Sequence, residues 1–114
     1  MTDIQLRDSI EKIIGDNIEV FEDSKKVKVK YIKAVDQLLS LFLDYSKGIR
    51  EEVLETLRVR SKKLKKDYKS TYGRDGFYEA KGWKKGVAAM RKLQSDLKKE
   101  ISLTTTENGG KSVA

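Results

Sequence analysis

Twelve consecutive residues, RVRSKKLKKDYK, hold the densest chemistry in the chain: Arg58, Arg60, Lys62, Lys63, Lys65, Lys66 and Lys69 face a single acid, Asp67. Cations at this density suit phosphate oxygens, because each contact releases condensed counterions from a nucleic acid. A solvated helix end also collects cations, since they complement the dipole, but seven in twelve exceed what a dipole calls for. Further along, Lys81, Lys84 and Lys85 surround Trp83, and Arg91, Lys92, Lys98 and Lys99 follow. Between the two runs, YKSTYGRDGFYEAKGWKKG contains Arg74 and five of the nine aromatic residues. Tyr68 and Trp83 fall at core-facing helical spacing and are read as core. Tyr72, Phe77 and Tyr78 are the residues that could stack on unpaired bases.

Other chemistries fail on residue type or spacing. The chain has no Cys, His or Pro, which removes disulfides, thiolate nucleophiles, His-based triads and ordinary zinc sites. Gly110-Lys111-Ser112 resembles the end of a phosphate-binding loop, but Thr105 occupies the position of its first glycine. Asp3, Asp8, Glu11, Asp16 and Glu19 lack the spacing and central Gly of a calcium loop. Glu51 and Glu55 are neighbours on a charged helix face, and no lysine is set among apolar residues as a Schiff-base lysine would be. Two short helices joined by a tight turn, the instrument of sequence-specific readout, are not apparent. No catalytic residue, cofactor, metal or small-molecule substrate is expected.

At 114 residues, the length is that of one domain. Formal charge is 25 − 18 = +7, but it is uneven: residues 1–57 sum to 9 − 12 = −3 and residues 58–114 to 16 − 6 = +10. A clustered field attracts a polyanion, whereas a dispersed one mainly aids solubility. No apolar run approaches the roughly 18 residues of a membrane span. The N-terminus MTDIQLRDSIEK has no apolar core of a signal peptide, so the cytoplasm is the expected compartment, or a host cytoplasm for a viral chain.

Absence of Pro and abundance of Lys, Glu, Leu, Ala and Arg favour helix, and the predicted fold is all-α: a small bundle of three or four helices. Thr2 and Gln5 form a capping box ahead of a first helix that Gly15 closes. Residues 16–22 read as a connector that packs Ile18 and Phe21, with room for a short strand or an extra turn. A second helix starts near Asp23 or Ser24, with Val27, Tyr31, Ala34, Val35, Leu38, Phe42 and Tyr45 on one face. The third helix carries Ile49, Val53, Leu57, Leu64, Tyr68 and Tyr72. Gly73 and Gly76 bracket a turn. The fourth helix, from about Phe77 or Glu79 to Leu103, carries Trp83, Val87, Met90, Leu93, Leu97 and Ile101. Gly82 and Gly86 read as local packing or a loosened helix start.

Gly48 decides between two architectures. As a turn it yields an antiparallel bundle, the favoured architecture, and a homo-oligomer or a place in a larger complex is expected either way. Within a helix it would leave residues 24–72 as one rod of about 74 Å, needing a partner chain in a coiled coil. The domain is residues 1–103, with an acidic, apolar half (1–57) and a basic half (58–103), followed by a flexible tail (104–114). If the last two helices pack antiparallel, Lys62–Lys69 and Lys81–Lys92 lie side by side.

The expected function is non-catalytic nucleic-acid binding, to DNA or RNA, through backbone contacts and as a subunit of a nucleoprotein assembly. The acidic half and the apolar face of residues 27–57 would serve self-association or docking. The alternative is a helical adaptor, inhibitor or assembly factor whose basic half docks an acidic protein. Membrane association is not expected, because the basic run lacks the apolar face of an interfacial helix.

Overall fold

The computed structural model describes residues 2–22, 24–46 and 50–113, with side chains described as far as Leu103. Thr2 caps α1 (Asp3–Asp16): its hydroxyl accepts the Gln5 N–H at 3.2 Å, and Gln5 Oε1 accepts the Thr2 N–H at 2.9 Å. Gly15 lies inside this helix, and Asn17 closes it instead. Asn17 is fully buried; its side-chain amide donates to the Ile13 carbonyl and to Gln37 Oε1, at 2.8 and 2.6 Å.

The all-α expectation is overturned by the next residues. β1 (Ile18–Phe21) and β2 (Lys26–Lys30) form an antiparallel hairpin, and β3 (Phe77–Lys81) joins the far side of β2. The sheet order is β1-β2-β3 and the class is α+β, though mostly helical. The cause is legible in KVKVK, whose valines alternate with lysines at the strand period. Val27 also stands four residues before Tyr31, so it mimics the first position of a helical stripe. In the structure α2 (Tyr31–Tyr45) starts only where that alternation ends.

Register sorts the sheet into two faces. Val29 lies opposite Ile18 and Tyr78, and Val27 opposite Val20 and Ala80. Both β2 valines are completely buried beneath the helices. The opposite face presents Lys26, Lys28, Lys30 and Lys81 with Glu19, Glu79, Phe21 and Phe77.

α2 buries Tyr31, Ala34, Val35, Leu38, Leu41 and Phe42, an arc wide enough to meet α1, α3 and α4 at once. Tyr31, Val35, Leu38 and Phe42 of the apolar stripe that a coiled coil would use are therefore covered by the chain itself, while Tyr45 is 40% exposed. α3 (Glu51–Tyr72) is a separate helix, so no single rod spans residues 24–72. Gly48 itself lies outside the described residues. A 3₁₀ turn at Arg74–Gly76 follows, with Gly73, Asp75 and Gly76 all at positive φ. α4 (Gly82–Val113) then runs back across the molecule. No helix among the described residues is long and apolar enough to cross a membrane.

α4 lies close against the sheet at Gly86. A Cβ there would lie 2.4 Å from Val27 Cγ2 and 3.6 Å from Ile18 Cγ2. Gly86→Ala would gain about 1 kcal/mol of helix propensity but overpack the buried Val27 at a cost of about 2–3 kcal/mol, the upper part of the usual range. Thermal melts should show a net loss of about 1–2 kcal/mol, a shift of several degrees.

Candidate nucleic-acid interface

The predicted cations sort by what they touch. In α3 the buried positions are Val53, Leu57, Ser61 and Tyr68. Lys62, Lys66 and Lys69 recur at intervals of four and three on the opposite face and are exposed. In α4, Met90, Leu93 and Leu97 are fully buried. Lys85, Lys92 and Lys99 line up along its exposed side at seven-residue spacing, two helical turns apart.

Two polar contacts fix how these helices meet. Tyr68 donates its hydroxyl proton to Asp96 Oδ2 at 2.7 Å, and Arg60 Nη1 meets Glu100 Oε2 at 3.4 Å. Advancing along α3 means retreating along α4, so the pair is antiparallel. Lys92 and Lys99 sit about one turn before and after Asp96, the residue that faces α3. Lys63 sits one turn after Arg60, the residue that faces α4. These three lysines therefore border the same seam, with Lys62, Lys66 and Lys69 on the adjoining outer face of α3.

This corrects the expected neighbours. The stretch beside Lys62–Lys69 is Lys92–Lys99, not Lys81–Lys92. β3 was counted as helix, and its five residues span about 16 Å between the turn and α4. Lys81, Lys84 and Lys85 are carried to the far end, where the Gly82 N–H donates to the Lys25 carbonyl at 2.6 Å. Lys99 thus joins the candidate face, while Lys81, Lys84 and Lys85 leave it. Arg74 is exposed in the 3₁₀ turn.

Four predicted cations have acidic partners. Arg58 meets Glu55 at 3.7 Å, Arg60 meets Glu100, Lys65 meets Asp36 at 2.5 Å and Arg91 meets Glu11 at 3.0 Å. Lys62, Lys63, Lys66, Lys69, Lys92 and Lys99 have no ion-pair partner among the described residues. Lys62 and Lys66 are like charges at a four-residue interval, a small cost that no internal acid relieves.

The aromatic residues are mostly internal. Tyr31 stacks with Tyr72 at 4.5 Å between ring centroids and leans on Tyr68 at 4.8 Å. Tyr72 also stacks with Tyr68 at 5.3 Å, and Tyr78 meets its edge at 5.2 Å. Tyr72, expected to offer a free ring, is thus half-buried packing. Tyr78 is partly exposed at the margin of the cluster. Phe77 lies on the outer sheet face, with Lys28 Nζ 4.1 Å from its ring centre. Trp83, expected in the core, is 48% exposed.

Among the described residues, no group of three or more His, Cys, Asp or Glu side chains could hold a metal. Comparison with protein-family models, curated proteins and solved structures finds no match. Sequence reasoning missed Lys25, Lys26, Lys28 and Lys30 as sheet and turn residues. The alternation in KKVKVK was the signal for them.

Tyr68 ties α3 to α4 and reports on that junction. Burial, and then its bond to the Asp96 carboxylate, push its pKa above the ordinary tyrosine range. Burial does the same for Tyr31, aided by Tyr72 and Tyr78. Unfolded tyrosines ionise near pH 10, while these two hold their protons in the fold, so their contribution is full below pH 10 and lost above it. Urea denaturation should show stability falling as pH rises past about 10. Tyr68→Phe should lower stability by about 1–2 kcal/mol at neutral pH and make the alkaline fall shallower.

Proposed function

We propose that the protein binds nucleic acid without catalysis, holding phosphates on the outer face of the α3–α4 pair as a subunit of a nucleoprotein assembly. The observation that carries this reading is a set of six exposed lysines on the outside of the α3–α4 pair, Lys63, Lys92 and Lys99 at the seam and Lys62, Lys66 and Lys69 on the adjoining face of α3, without an ion-pair partner among the described residues. Lysine is a point charge on a flexible stem, suited to the backbone rather than to a base edge. Little sequence preference follows.

Anisotropy titrations with a labelled duplex across a salt series test it. With about six phosphates neutralised, log K should fall with log salt at a slope near −5. Lys62→Glu with Lys66→Glu should cut affinity at least tenfold and bring the slope to about −3, with helicity unchanged by circular dichroism. Lys12→Glu, on exposed α1, should leave both quantities as they were. Absence of binding at low salt would instead favour an acidic protein as the partner of this face.

A further inference from the structure

The outer sheet face and the start of α4 form a second basic surface, separate from the α3–α4 seam. Lys26 on β2 stands directly opposite Lys81 on β3, and Phe21 on β1 stands opposite Lys26 on its other side. All three are exposed. Like charges facing across a ladder destabilise a sheet. Neither lysine has an acidic partner among the described residues. Nearby acids are engaged or placed elsewhere: Glu19 pairs with Lys30, and Glu79 stands opposite Lys28, in the next row.

More positive charge converges on this corner. Lys25, at φ 53 in the hairpin turn, accepts the Gly82 N–H and so holds the turn against the start of α4. Lys84 and Lys85 follow within the first turn of α4, which contains no acid. Among the described residues, Glu22 in the hairpin turn stands against these five lysines; its neighbour Asp23 lies outside them. Two large exposed rings adjoin them: Phe21, opposite Lys26 in the sheet, is 41% exposed, and Trp83, two residues after Lys81 in the chain, is 48% exposed. A folded chain gains nothing from leaving its one tryptophan half in water.

We propose that this corner binds single-stranded nucleic acid. Lys26 and Lys81 take backbone phosphates, which removes their mutual repulsion, and Phe21 and Trp83 receive unpaired bases. Alternating cations and accessible rings are what a single strand engages, while the bases of a duplex are stacked away from such rings. The surface does not rest on the α3–α4 reading, and the two are tested by different side chains.

Trp83 is the reporter, since it is the sole indole. At low salt, oligo(dT) should quench its fluorescence, and a duplex of equal length should not. Lys26→Glu with Lys81→Glu should weaken the quenching titration at least tenfold, and Phe21→Ala at least fivefold. Lys84→Glu with Lys85→Glu, on an exposed helix surface, gives the same loss without touching the sheet. Lys62→Glu with Lys66→Glu should leave the oligo(dT) titration intact while duplex binding weakens at least tenfold. No quenching by oligo(dT), quenching undiminished in both lysine variants, or equal quenching by poly-glutamate would overturn the proposal.

Discussion

The rest of the molecule depends on β2 as the middle strand of the sheet. It pairs with β1 on one side and with β3, some fifty residues later, on the other. Val27 and Val29 are sealed between the helices and their strand neighbours. One end of β2 passes without a break into α2, whose wide apolar arc organises the other helices. The glycine of α4 that rests on Val27 sets the depth at which that helix lies. A five-residue strand thus joins the acidic half of the chain, through β1, to the basic half, through β3.

Local signals were read well where one period dominated. The Thr2–Gln5 cap, the Gly73–Gly76 turn and the buried faces of α3 and α4 at Val53, Leu57, Tyr68, Met90, Leu93 and Leu97 follow from spacing alone. A short strand within residues 16–22 is allowed by the sequence and found as β1, whereas β2 and β3 escape for a definite reason. Val27 satisfies both the two-residue alternation of a strand and the four-residue step to Tyr31, and the longer stripe won. FYEAK is short, and a strand of that length paired to a distant partner leaves no periodic trace. Missing β3 then displaced the basic runs against each other by the length of that strand. Trp83 was assigned to the core because an aromatic at helical spacing usually belongs there. At the first turn of α4, however, the helix stands at the rim of the sheet.

The charge map is more selective than the net charge. Acids of the first half do reach across, at Glu11 and Asp36, but they meet Arg91 and Lys65 on the flanks of the basic helices. Such exposed pairs contribute little each. They leave the outward lysines of α3 and α4 unopposed. Tyr31, Tyr68, Tyr72 and Tyr78 pack ring against ring on the inner side of α3, and such pairs add to the stability of that junction beyond the area they bury.

β3 leads directly into α4, with no loop to absorb a change in length. Deleting one residue from that strand would have two simultaneous consequences. Beyond the deletion, strand side chains would trade sides of the sheet, and α4 would turn by roughly a quarter of a revolution about its axis. The second effect would swing Lys92 and Lys99 off the seam even if every contact in the sheet were rebuilt. Strand length and the electrostatic pattern are therefore inherited together, and drift in one is restrained by the other.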